Sequence, residues 1–160
     1  MKLHILAIGG TIDKVYFDAF SDYKIGAPAA HEILDRVKVN FAYHVRQMVS
    51  KDSLDMTDMD RQKILNAVKA DASNHVIITH GTDTMVETGQ VLKQALGKTI
   101  VIMGAMQPAI MKLTDADFNL GVAVAAVQTL PEGVYLCMNG RIYDVHQVVK
   151  NRAEGQFQDL

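Results

Sequence analysis

The sequence predicts an α/β fold: one domain built on a doubly wound, mostly parallel sheet with an antiparallel hairpin at its edge. Three observations carry this. The β-branched run Val76-Ile77-Ile78-Thr79 breaks into His80-Gly81-Thr82-Asp83-Thr84, and a helical pattern follows, which is a strand-to-helix turn. The N-terminus repeats the arrangement, with Leu3-His4-Ile5-Leu6-Ala7-Ile8 running into Gly9-Gly10-Thr11-Ile12. Strand and helix patterns then alternate along the chain, as in units joined by right-handed crossovers.

Each element has its own signal. Between Asp13 and Ala27 there is no sustained period, so this aromatic-bearing stretch reads as a mobile loop suited to a lid. Pro28 to Val37 reads as a short helix, with Pro near its first turn and Ile33, Leu34 and Val37 on one face. Tyr43 to Met48 alternates as a second strand, and Ser50 to Asp55 is a polar turn. Thr57 is placed to cap a helix in which Ile64, Leu65, Val68 and Ala72 recur at helical spacing. His75 to Thr79 is the third strand. A helix from about Asp83 to Leu96 turns Met85, Leu92, Ala95 and Leu96 toward the sheet and ends at Gly97. Thr99 to Met103 is the fourth strand, and Gly104 to Asp117 is a second irregular loop. Phe118 to Leu130 is a helix, Pro131-Glu132-Gly133 a turn, and Val134 to Met138 the fifth strand. Asn139-Gly140 is a hairpin signal that returns Arg141 to Val145 antiparallel at the sheet edge. The tail after Lys150 is polar and weakly patterned.

Composition narrows the function classes. A chain of 160 residues with 49% hydrophobic and 21% charged residues has the usage of one globular domain. A net charge of -2 without a basic patch gives no reason to expect nucleic acid. No apolar run is of membrane-spanning length. The first apolar run is too short for a secretory signal and lacks its cleavage pattern. The single Cys137 rules out an internal disulfide and fits a reducing compartment, so a cytoplasmic location is expected.

Leu120 to Val127 breaks the amphipathic rule, being apolar on every side. A helix of that kind is usually buried all round. In a domain this small, its outer side is expected to meet another subunit, giving a homo-oligomer.

Two hydroxyl-bearing turns at the ends of two buried strands can converge on one site, because open α/β sheets bind ligands at the carboxyl ends of their strands. Taken alone, each is equally a tight turn with a helix cap. As a pair they point to an enzyme with a threonine nucleophile. Such hydroxyls need a base or a preorganised environment. Thr11 has no base in its own turn, whereas Thr82 and Asp83 offer a hydroxyl relay and a carboxylate favoured by a helix N-terminus. Backbone N–H groups at Gly10 and Gly81 can bind a carboxylate or an oxyanion. Ser53-Leu54-Asp55, after the second strand, is placed to join the same rim. No metal is expected, because His4, His31, His44, His75, His80 and His146 never form the spaced pair of a zinc helix. Gly9-Gly10-Thr11 lacks the full dinucleotide fingerprint and any Walker lysine, which leaves nucleotide binding a weak alternative and no cofactor expected.

Ala7-Ile8-Gly9-Gly10-Thr11-Ile12 and Ile78-Thr79-His80-Gly81-Thr82-Asp83-Thr84-Met85 resemble the two signature segments of the bacterial-type L-asparaginase/glutaminase family. Asp52 to Asp58, Val101 to Pro108 and Asp115 to Leu120 are also similar to that family, in the same order along nearly the whole chain. The resemblance implies an amidohydrolase that converts L-asparagine to L-aspartate and ammonia, acting on a small amino-acid amide. It implies Thr11 as nucleophile and a loop tyrosine as its assistant, with Tyr23 the first choice and Tyr16 the second. Thr82 and Asp83 match the family's Thr-Asp pair, and Ser53 the serine that helps hold the substrate α-carboxylate. Leu54, Gly10 and Gly81 complete the implied binding rim. Lys150 stands where the family has the lysine that pairs with this turn.

Two departures from the family pattern stand out. The family carries a smaller C-terminal domain, whereas residues 1–160 correspond only to its N-terminal catalytic domain. The substrate amino group is then left to Arg141–Leu160 of a neighbouring subunit or to Asp83 alone. Gln107 stands where the family often has Arg. The alternatives are a non-catalytic amino-acid-binding or sensor domain, and a half-enzyme completed by a partner chain.

Overall fold

A computed structural model describes residues 1–17 and 22–160. Its centre is a six-stranded sheet made of β1 (Lys2–Gly9), β4 (Ala42–Lys51), β5 (His75–Thr79), β6 (Thr99–Met103), β7 (Gly133–Met138) and β8 (Arg141–Asp144). The strand order is β4-β1-β5-β6-β7-β8, and neighbours run parallel except β7 and β8. The chain winds outward in one direction from β1 to β4, and in the other from β5 through β7. The order therefore reverses between β1 and β5, which is where open α/β sheets form their binding crevice.

Helices cover both faces because alternate strand residues point to opposite sides. On one face Leu6, Ile8, Val76, Ile78, Ile100 and Ile102 pack against α2 (Asp58–Ala70) and α3 (Met85–Leu92). On the other, Leu3, Ile5, Ile77, Val101, Met103 and Cys137 pack against α1 (Ala29–Arg36) and α4 (Ala116–Thr129). The central strands are apolar toward both layers, as parallel strands buried on two sides must be. Thr57 caps α2 in a reciprocal capping box with Asp60. Asn139 and Gly140 both have positive φ, 55° and 76°, the conformation of the tight turn that their sequence predicts between β7 and β8.

Four expectations need correction. Much of the Asp13 to Ala27 stretch is an antiparallel hairpin, β2 (Lys14–Phe17) with β3 (Asp22–Ile25), rather than an irregular loop. Residues 18–21, including Ser21, lie outside the described residues. Tyr16 and Tyr23 are register partners whose rings meet edge-on at 5.9 Å, a cross-strand pair of the kind that steadies short ladders. α3 stops at Leu92, where the chain tightens into i→i+3 hydrogen bonds and carries Leu96 out to 83% exposure. Ala72 lies beyond α2, because the Asp71 carboxylate accepts from the Ser73 N–H and turns the chain out of the helix. The tail is likewise ordered, as β9 (Val148–Asn151) paired with β10 (Gln156–Asp159), with Val148 and Phe157 buried beneath. Two inward apolar residues anchor this hairpin, too few to stand out as a period.

α4 turns Leu120, Ala123, Ala126 and Val127 to the core. Its opposite side carries Gly121 and Ala125 exposed, and Val122 and Val124 half-buried. Among the described residues, no helix is long and apolar enough to cross a membrane.

Candidate active site

The turns that follow β1 and β5 touch through their glycines. A Cβ built on Gly10, which has a φ of 85°, would lie 2.4 Å from both the Cα and the N of Gly81. A Cβ on Gly81 would in turn lie 2.6 Å from the Ser53 Oγ. Three turns, at the ends of β1, β4 and β5, are therefore stacked with backbone against backbone at the reversal point of the sheet. Gly10→Ala is expected to cost about 2–4 kcal/mol, from the positive φ and the steric overlap together. That should lower Tm by roughly 5–15 °C. Gly97→Ala, at a positive φ with open space around it, is the control and should lose less. A Gly10→Ala melt no lower than that of the control would show that the glycine contact is not tight.

Around this contact the side chains converge. Ser53, 1% exposed, takes the Asp83 N–H on its Oγ at 3.3 Å, and its carbonyl accepts from the Thr84 hydroxyl at 2.9 Å. Thr82 is buried beside it. The Lys150 ammonium donates to the Thr82 Oγ1 at 2.8 Å and to the Asp83 Oδ1 at 2.7 Å. Lys150 reaches them from β9, whose partner strand holds Phe157 opposite Lys150 in register. The buried Tyr143 of β8 donates its hydroxyl to the Phe157 carbonyl at 2.6 Å, which ties this hairpin to the edge of the main sheet. A cleft of about 390 Å³ opens beside Asp83 and Lys150, walled by Glu87 and Gln90 of α3 and by Arg152.

His80 is fully buried and supports the turn from below. Its Nδ1 lies 2.7 Å from the Gly81 carbonyl and its Nε2 2.8 Å from the Thr88 Oγ1. A carbonyl can only accept, so Nδ1 carries the proton and Nε2 accepts from the Thr88 hydroxyl. Burial pushes the imidazole pKa down to about 4, which keeps the ring neutral in this pairing. One backbone and one side-chain bond thus hold His80. Among the described residues, the N–H groups of Gly81 and Thr82 have no hydrogen-bond acceptor.

The fold brings Gly10, Thr11, Ser53, Gly81, Thr82, Asp83 and Lys150 to one edge of the sheet. The half-buried Thr11 follows Gly10, and its hydroxyl has no hydrogen-bond partner among the described residues. Leu54 projects outward at 66% exposure, and its N–H is taken by Asp52. Tyr16 and Tyr23 sit exposed on the hairpin that springs from the Thr11 turn, on the same face of it. Gln107 donates its N–H to Asp115. Sequence reasoning assigned no part to Thr88, Asp115 or Asn119. Asp115 accepts from the N–H groups of Met106 and Gln107, while Asn119 donates to the Gly104 carbonyl. Together they pin the loop after β6. Their signals were the family-like segment Asp115 to Leu120 and a carboxylate just ahead of a helix. No group of three or more His, Cys, Asp or Glu among the described residues could hold a metal ion.

Comparison with known proteins bears on the family and the fold. The family described as asparaginase, N-terminal, matches residues 2–157. The chain is 34% identical to the probable periplasmic L-asparaginase of Haemophilus influenzae, over 93% of this chain and 46% of that protein. It is 32% identical to L-asparaginase 2 of Escherichia coli, with the same shares covered. The thermostable L-asparaginase of Thermococcus kodakarensis superposes with a TM-score of 0.87 at 26% identity, over 100% of this chain and 51% of that one. A probable cytoplasmic L-asparaginase of Campylobacter jejuni gives 0.82 at 27% identity, over 99% and 51%. The chain spans about half the length of the relatives it matches.

Proposed function

Because the chain belongs to the asparaginase family, matching its N-terminal domain, we propose that it is an amidohydrolase converting L-asparagine to L-aspartate and ammonia. The observation that carries this reading is the Lys150–Thr82–Asp83 cluster, set against the Gly10–Gly81 contact that places Thr11 on the neighbouring turn. In this mechanism the Thr11 oxygen attacks the side-chain amide carbon, and its proton passes along the Thr82–Lys150–Asp83 relay, the Lys150 ammonium giving a proton to the Asp83 carboxylate as it takes one from the Thr82 hydroxyl. The N–H groups of Gly81 and Thr82 are placed to hold an anionic group of the substrate, and Ser53 orders the turn that presents them. The C–N bond then breaks, the leaving nitrogen takes the proton and departs as ammonia, and water cleaves the Thr11 ester to release aspartate. A tyrosine of the hairpin, Tyr23 ahead of Tyr16, assists at the nucleophile. The Asp83 carboxylate offers the substrate ammonium its counter-charge. A cytoplasmic setting, supported by the single cysteine, belongs to the same reading.

Ammonia release by the purified chain on a panel of asparagine, glutamine and related amides tests this. Turnover of asparagine is expected. Saturable amino-acid binding without turnover would instead identify a binding or sensor domain.

A second reading, that another chain completes the site, is favoured by the open outer side of α4. On it, activity appears only when that chain is added. We also propose that copies of this chain associate through α4. Light scattering is then expected to give a dimer or larger. Ala125→Asp should shift the protein to monomer or precipitate it, because an unpaired charge is costly to bury. Wild-type protein that scatters as a monomer at working concentration would remove the interface.

A further inference from the structure

We propose that the cavity behind the Thr11 turn binds a small primary ammonium ion carrying a short apolar stem. The cavity, of about 350 Å³, lies between the turn Thr11–Asp13, the base of the β2–β3 hairpin, α1 and the loop after β6. That volume falls in the range of about 300–1,000 Å³ usual for small-molecule sites. Asp13 lines it and is only 3% exposed. One oxygen of its carboxylate accepts the Ala29 N–H at 2.8 Å, while the other has no hydrogen bond among the described residues. Burial pushes this carboxyl up to about 6, against the opposing Ala29 hydrogen bond.

The three basic side chains on the wall are each turned to another carboxylate. Lys14 pairs with Asp52 at 3.0 Å, His31 with Asp35 at 3.2 Å, and Arg36 with Asp117 at 2.6 Å. Asp13 and Glu32, also on the wall, have no ion pair among the described residues. The cavity therefore offers negative charge without a counter-ion, which excludes anions. Ile12, Val15, Ile33 and Ala109 line the rest and suit an alkyl stem. Calcium or magnesium would need about six or more oxygen ligands, which these walls do not supply. An ammonium ion needs only one carboxylate and a few acceptors. Asp13 also donates its N–H to the Gly10 carbonyl at 3.2 Å and accepts from Gly26 at 2.7 Å. A ligand on its carboxylate thus bears on the turn that presents Thr11 and on the root of the tyrosine hairpin.

Calorimetric titration of the full chain with n-butylammonium chloride tests the proposal, with 1-butanol as the neutral control. Saturable binding of the ammonium is expected, together with none of the alcohol and at least tenfold weaker binding to Asp13→Asn. Should Asp13→Asn not fold, Ala109→Leu adds bulk from another loop with the carboxylate intact, and the same weakening is expected. Asp83→Asn, which alters the candidate active site, should leave the binding unchanged. No saturable heat, equal binding of the alcohol, or undiminished binding in folded Asp13→Asn or in Ala109→Leu would each overturn it. So would loss of binding in Asp83→Asn. The readout is heat of binding, so failure of the proposed reaction would leave this result standing, and the reverse holds.

Discussion

Thr11→Ala should reduce ammonia release from asparagine by about four orders of magnitude or more, the scale seen when a covalent nucleophile is removed. Folding should hardly change. The residue is half-buried, its hydroxyl has no hydrogen-bond partner among the described residues, and the turn is set by backbone contacts at Gly10. A substitution of this kind falls within about 0.5–1 kcal/mol, a Tm change of a few degrees for a domain of this size. Loss of turnover with an unchanged melt therefore separates chemistry from structure. Substrate binding should persist in the variant, because the groups proposed to hold the substrate lie on the Ser53 and Gly81–Asp83 turns. Near-normal turnover in Thr11→Ala would transfer the nucleophile's part to Thr82, the hydroxyl that the Lys150 ammonium contacts.

The second large effect is expected at Lys150. Its side chain is 12% exposed, and both of its partners, Thr82 Oγ1 and Asp83 Oδ1, lie within 2.8 Å. If it relays the Thr11 proton from Thr82 to Asp83, Lys150→Met should lower kcat by about 10²–10⁴-fold, the usual contribution of a positioned proton-transfer group. KM should rise only modestly, because the lost interaction acts in the transition state. Methionine keeps the length and the apolar stem, so the β9–β10 hairpin, held by Phe157 and Tyr143, should stay in place. Stability should fall little, since Asp83 is still about one-third exposed and water can solvate its carboxylate. A kcat within twofold of wild type would show that Lys150 only ties the hairpin to the Asp83 turn.

How far the sequence could be read depended on where each structural cause was encoded. β5 and β6 were legible residue for residue, because their β-branched runs are bounded by a turn and a glycine. The Asn139-Gly140 hairpin was legible because a two-residue turn with positive φ at both positions demands such residues. The short hairpins were not. β2–β3 and β9–β10 have only four residues in each strand, and their order comes from pairs and anchors distant in the chain. Tyr16 finds Tyr23, and Phe157 finds Tyr143. The end of α3 was hidden for a related reason: Ala95 and Leu96 continue the helical spacing, while the i→i+3 turn that ends the helix leaves no residue signature.

For the candidate site, the sequence by itself determined the chemistry on offer: two glycine-hydroxyl turns at strand ends, a polar turn at Ser53, and a lysine after the edge hairpin. Local rules decide the turns, since turn residues and strand ends are set by neighbours along the chain, whereas Lys150 stood out only through the family resemblance. Only the tertiary structure decided that they meet. The Gly10–Gly81 contact joins residues on adjacent strands, and Lys150 reaches Asp83 from 67 positions away. The same holds for Asp13, which reads in sequence as one more polar residue after a turn. Its burial beside a cavity, with each basic side chain on the wall turned to another carboxylate, depends on how α1, the hairpin and the loop after β6 pack together. Burial and pairing across such distances arise only when the chain closes on itself, so no local pattern can carry them.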